Sequence, residues 1–95
     1  MIKSFRCKDS EALYQGKRVR KFESCQAQAE KRLEILDNAK TIKDLMALPS
    51  NHFEALIGDR AGQCSIRVNK QWRVCFEWKD ADAYNVEIVD TTKGE

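Results

Sequence analysis

Alternation of apolar and polar residues along the C-terminal half constrains this chain more than any other feature. Ile66 and Val68 alternate with Ser65 and Arg67, while Trp72, Val74, Phe76 and Trp78 alternate with Arg73, Cys75 and Glu77. Each run reads as a half-buried strand whose apolar set faces one core. A hairpin that keeps both sets together needs an odd loop, most simply Asn69-Lys70-Gln71, which pairs Val68 with Trp72 and Ile66 with Val74. Arg67 then lies directly opposite Arg73. Facing like charges destabilise an antiparallel pair by roughly 0.2–1 kcal/mol, so two guanidiniums held there ask for an anion such as phosphate. The alternative is that both splay into water or pair with Glu87.

The same parity extends across a turn at Asp80-Ala81-Asp82, pairing Trp78 with Tyr84, Phe76 with Val86 and Val74 with Ile88. Strands are thus expected at Gln63 to Val68, Trp72 to Lys79 and Ala83 to Val89, after an extended segment at Phe53 to Ile57 and a turn at Gly58-Asp59. Arg67, Arg73, Cys75, Glu87 and Val89 share the face away from the core, with Glu87 and Thr91 diagonal to Arg73. The shared parity of Trp72, Phe76, Trp78 and Tyr84 makes them core rather than base-stacking residues.

Upstream, Met1 to Arg6 reads as a strand. Asp9 or Ser10 can cap a short helix reaching about Tyr14 and ended by Gly16. Phe22, Cys25, Ala29, Leu33 and Leu36 recur at helical spacing, and Ile42, Leu45 and Met46 predict a third short helix closed by Pro49. The expected class is α+β, with an N-terminal strand and two to three helices on one face of a mainly antiparallel twisted sheet. At 95 residues the chain has room for one domain, spanning 1–95, with one modest core.

Seventeen Lys and Arg against fifteen Asp and Glu give a net charge of only +2, so clustering matters more than the sum. Lys17, Arg18, Arg20 and Lys21 form one basic run, and Arg60, Arg67, Lys70 and Arg73 form another; such runs are usually solvated faces. Cys7, Cys25, Cys64 and Cys75 are widely spaced, with no Cys-x-x-Cys and a single histidine, which argues against a disulfide framework or a zinc site, and no cofactor is expected. Free thiols without a signal peptide or a bilayer-length apolar stretch point to the cytosol and away from membranes.

The stretch from Asn51-His52-Phe53-Glu54 through Gly58-Asp59-Arg60-Ala61-Gly62 to Trp72-Arg73-Val74-Cys75-Phe76 resembles the HigB branch of the RelE/ParE toxin superfamily. Met1-Ile2-Lys3-Ser4-Phe5 and Val86-Glu87-Ile88-Val89-Asp90 match as well, so the likeness covers nearly the whole chain. It implies a small cytoplasmic toxin that cuts mRNA in the ribosomal A site without a metal. It further implies neutralisation by a helix-turn-helix antitoxin of the HigA type, with operator DNA contacted only through that antitoxin. Other readings are a catalytically weakened variant that still occupies ribosome and antitoxin, or a gyrase poison of the ParE kind.

Metal-free RNA cleavage needs attack by the ribose 2′-hydroxyl, proton transfers to and from oxygen, and cations for the charge building on phosphorus. Arg73 matches an arginine of the family's active site, and Arg67 is a second candidate for the phosphate. Arg60 and Arg67 could instead grip ribosomal RNA, as could Lys70 and the Lys17, Arg18, Arg20 and Lys21 run. Where the family commonly ends Asp-Tyr-His, this chain reads Asp90-Thr91-Thr92; Glu54 and Ile57 stand where some members have His and Lys. Asp90 is the preferred carboxylate, although its parity places it near Trp72, and Thr91 can only bond a phosphate oxygen. His52, the sole imidazole, is either a stand-in acid or base or an exposed loop residue. Glu87 is expected in a salt bridge.

Overall fold

The computed structural model describes residues 1–92, so the Lys93-Gly94-Glu95 end of the expected tail lies outside the described residues. Its first helix, α1 (Lys8–Tyr14), starts before the residues expected to cap it: Cys7 is the N-cap, its Sγ accepting from the Ser10 backbone N–H at 3.4 Å. Ser10 serves the sheet instead. Its hydroxyl, fully buried, accepts the Ile88 backbone N–H at 2.9 Å. Ser10→Ala would strand that buried donor, costing about 1–3 kcal/mol. For a chain this short, each kcal/mol lowers the midpoint by about 4–8 °C, which thermal unfolding followed by circular dichroism would register.

The second predicted helix is two elements, because Cys25 (φ −133°, ψ 18°) departs from helical geometry. Arg20–Cys25 forms a 3-10 helix and α2 follows at Gln26–Asn38. The apolar spacing survives the break: Phe22, Cys25, Ala29, Leu33 and Leu36 are all buried. Phe22 meets Trp72 edge to face at 5.3 Å, tying the 3-10 helix to the sheet. In α3 (Ile42–Met46) a capping box fixes the start: Thr41 Oγ1 accepts from the Asp44 N–H, and the Asp44 carboxylate accepts the Thr41 N–H. Pro49 then opens a short 3-10 turn, Pro49–Asn51.

Four strands follow, β1 (Glu54–Ala55), β2 (Cys64–Arg67), β3 (Trp72–Lys79) and β4 (Asp82–Asp90), antiparallel in the order β1-β2-β3-β4. Ile66, Val68, Trp72, Val74, Phe76, Val86 and Ile88 share one core with the helix residues. Met1 to Arg6 does not form a continuous strand. It meets β4 in parallel at two isolated bridges, Ile2 with Ala83 and Phe5 with Val86. Between them the Ser4 hydroxyl accepts the Asn85 N–H, where β4 itself is irregular.

That irregularity corrects the predicted register of the second hairpin. Asp80 and Ala81, at φ 52° and 67°, form a two-residue turn in place of the expected three, with the positive φ values that primed hairpin turns require. Pairing therefore slips by one: Trp78 opposes Ala83 and Glu77 opposes Tyr84. An extra residue in β4 at Asn85, φ 53°, restores the frame, so that Cys75 opposes Glu87 and Val74 opposes Ile88 as expected. Ala83, fully buried, takes the core position expected for Tyr84. Tyr84 moves to the face that carries Arg73. Among the described residues, no helix is long and apolar enough to cross a membrane.

Candidate functional site: a paired-arginine face

Arg67 faces Arg73 across β2 and β3. The intervening loop is Asn69-Lys70-Gln71, folded around the Asn69 side-chain oxygen, which accepts the Gln71 and Trp72 backbone N–H groups at 2.8 and 2.9 Å. Because the Val68 N–H donates to the Trp72 carbonyl at 2.9 Å, the next pair up the ladder is a non-hydrogen-bonded one. At such pairs the Cα atoms are about 4.5 Å apart and the side chains closest.

The two guanidiniums are held differently. Arg73 is anchored: Nε donates to Ser65 Oγ at 2.8 Å, and Nη2 donates to the His52 carbonyl at 2.5 Å and to the Ser65 carbonyl at 3.5 Å. Its side chain is only 16% exposed, and Nη2 lies 3.9 Å from Glu54 Oε1. Arg67 donates through Nε to the Asn69 carbonyl at 3.2 Å. Among the described residues, no hydrogen bond or ion pair engages Arg73 Nη1 or the two terminal nitrogens of Arg67. The fixed ends orient both groups, and the open nitrogens of each planar guanidinium are donors suited to phosphate oxygens.

Several other predicted residues are not brought to this seat. Arg60 is committed to Gln63 Oε1 at 3.0 Å and to Glu87 Oε2 at 3.1 Å, and Arg6 approaches the same Glu87 oxygen at 3.6 Å. Glu87 is thus in a salt bridge, as expected, but with Arg60 and Arg6 rather than Arg73. Between them Cys75 is buried; burial pushes its thiol up, against the lowering pull of Arg60, and leaves it protonated at neutral pH. His52 sits in the left-handed region at φ 43° with an exposed side chain, and it is its carbonyl that touches Arg73.

Asp90 pairs with Trp72 at the end of β4, on the side that parity assigns. Its carboxylate accepts from Gln71 Nε2 at 2.9 Å and from the Thr92 N–H and hydroxyl at 2.9 and 2.7 Å. Thr91 turns the same way, its N–H and hydroxyl both donating to the Gln71 carbonyl. Asp90, the carboxylate preferred from the sequence, therefore stays beside Gln71 and Thr92 and is not brought to the arginines. Lys70 is exposed at the hairpin tip, and Lys17, Arg18, Arg20 and Lys21 are exposed around the start of the 3-10 helix. There Arg18 approaches Glu23 at 3.8 Å and Lys21 lies 5.7 Å from the Phe22 ring centre.

Sequence reasoning passed over Glu54 and Ser65. Glu54 pairs with Ser65 across β1 and β2, which carries its carboxylate to the Arg73 guanidinium. Ser65, fully buried, is the hydroxyl that aims Arg73. The signal was available in the parity of Ser65, which points to the face shared with Arg67 and Arg73. All four cysteines are free thiols, and among the described residues no cluster of three His, Cys, Asp or Glu is placed to hold a metal ion.

The model of HigB-like toxins, described as RelE-like toxins of the type II toxin–antitoxin system HigB, matches residues 3–91. Toxin HigB-1 of Vibrio cholerae serotype O1 is 50% identical over 58 residues, a stretch that spans 61% of this chain and 61% of that toxin. Among solved structures, YafQ from E. coli strain BL21(DE3) superposes with a TM-score of 0.62 over 97% of this chain and 96% of its own, at 11% identity. A YoeB/ParE toxin from Agrobacterium tumefaciens gives 0.50 over 94% of each chain, at 17% identity. At such identities these two establish the fold alone, and it is the family match across nearly the whole length that decides membership: the chain belongs to the HigB-like, RelE-type toxins of type II toxin–antitoxin systems.

Proposed function

We propose that this toxin is a ribosome-dependent mRNA endonuclease, acting in the cytoplasm without a cofactor and held in check by a HigA-type helix-turn-helix antitoxin. The facing Arg67 and Arg73, oriented by protein carbonyls and a serine yet open at their outer nitrogens, carry this reading. A phosphodiester seated on them presents its phosphorus to the neighbouring 2′-hydroxyl. That oxygen attacks phosphorus, the bond to the 5′-oxygen breaks, and the departing oxygen takes a proton from solvent, leaving a 2′,3′-cyclic phosphate and a 5′-hydroxyl end. Charge building on the phosphoryl oxygens is met by the two guanidiniums. Glu54, the carboxylate at 3.9 Å from Arg73 and open to solvent, takes the proton from the attacking hydroxyl.

The orientation of Asp90, Thr91 and Thr92 toward the Gln71 edge favours a second reading, in which the chain occupies ribosome and antitoxin but cuts slowly for want of a dedicated acid. Purified protein added to ribosomes programmed with labelled mRNA separates the two. Fragments accumulating in a single turnover support the endonuclease, while stable binding without fragments supports the weakened form. Binding should also weaken steeply between low and moderate salt if Lys70, Arg67 and the Lys17 to Lys21 run contact RNA backbone; a flat response would remove those residues from the interface. Supercoiling by gyrase should be unaffected.

A further inference from the structure

The one-residue slip in the β3–β4 hairpin has a chemical result. Were the register unbroken, Tyr84 would sit in the core; the short turn and the Asn85 bulge instead put it opposite Glu77, on the face of Arg73, where it is half-buried. Bulges next to active sites are a known way of re-aiming a side chain. With Gly62, Trp78, Lys79 and Asp80, these residues line a cleft of about 510 Å³ between the hairpin and the turn that precedes β2. Asn85 Nδ2 donates to Glu77 Oε2 at 3.2 Å, which fixes the carboxylate within the cleft. Glu77 lies four residues beyond Arg73 on the same face, about 13 Å along the strand.

We propose that this cleft is a nucleobase subsite for the RNA strand whose phosphate sits on Arg67 and Arg73, an inference that rests on the RNA-cleaving reading above. Tyr84 supplies the aromatic surface on which a base stacks, Glu77 accepts from the base's amino group, and Lys79 at the rim meets backbone phosphate. A carboxylate acceptor favours a base that presents an amino group, so cytosine should bind better than uracil. The cleft shares the sheet face of the arginine seat, one row beyond the Glu87–Arg60 pair, and that common face is the ground for RNA rather than a protein segment as the occupant.

The chain has two tyrosines, Tyr84 and Tyr14, and Tyr14 lies on α1, which gives an internal control. Full-length protein with 13C-labelled tyrosine, titrated with uncleavable 2′-O-methyl tetranucleotides of cytidine or uridine, should show the Tyr84 ring signals moving while those of Tyr14 stay put. Tyr84→Ala should weaken the cytidine oligomer about tenfold or more, Tyr84→Phe should retain its affinity, and Glu77→Gln should erase the preference for cytidine. An unmoved Tyr84 ring, equal affinity in Tyr84→Ala, or a ring that responds only to the antitoxin would overturn the subsite. Failure of the endonuclease reading looks different: Tyr84 would still report the oligomer, but programmed ribosomes would yield no fragments.

Discussion

Replacing Arg73 by alanine should reduce mRNA cleavage on programmed ribosomes by about 10²–10³-fold, the loss typical of removing one preorganised donor from a site where negative charge develops. The anchoring of Arg73 explains why so large an effect is expected from one of two adjacent arginines. Three donor contacts to Ser65 and His52 fix its plane before any RNA arrives, so little ordering remains for the reaction step. Arg67, tied by a single bond to the Asn69 carbonyl, is less constrained, and Arg67→Ala should cost less than Arg73→Ala. Arg73→Lys should recover little, since an ammonium keeps the charge but not the planar fork that bonds Ser65 and phosphate together. The fold should persist in all three variants, because the guanidinium lies outside the apolar core. Wild-type cleavage by folded Arg73→Ala would remove the phosphate seat from the mechanism.

Parity made the arginine pair legible in the sequence, and the reason is geometric. Ile66, Val68, Trp72 and Val74 all had to be buried, which only an odd loop allows, and the simplest such loop, Asn69-Lys70-Gln71, is the one that sets Arg67 opposite Arg73. The same reasoning failed at the next hairpin because a turn one residue short and a bulge one residue long cancel further along. Val74 with Ile88 and Cys75 with Glu87 come out the same either way, and only the residues between the two irregularities, Asp82, Ala83 and Tyr84, betray them. Asp90 shows parity prevailing over resemblance: alternation put it beside Trp72, and there it stays. The His52 carbonyl had no sequence signal at all, since every residue has one and only the left-handed turn after Pro49–Asn51 aims this one at Arg73.

Glu54→Gln should lower the single-turnover rate by about 10²-fold or more, within the range for removing a proton acceptor, while ribosome binding and thermal stability stay near wild type. Glu54 is 63% exposed and its contact with Arg73 is long, at 3.9 Å; exposed ion pairs of this kind contribute about 0–1 kcal/mol, so a large kinetic effect could not be ascribed to unfolding. Glutamine keeps the size and can still meet the Arg73 N–H through its amide oxygen, which isolates the loss of the proton acceptor from any loss of positioning. The sign of the result decides between two roles. A carboxylate beside Arg73 also places negative charge next to the proposed phosphate, and if that were its main effect, Glu54→Gln would tighten RNA binding and raise the rate. A fall in rate at unchanged affinity makes Glu54 the base; a rise makes it an electrostatic brake on the arginine seat, and the proton would then have to leave through solvent.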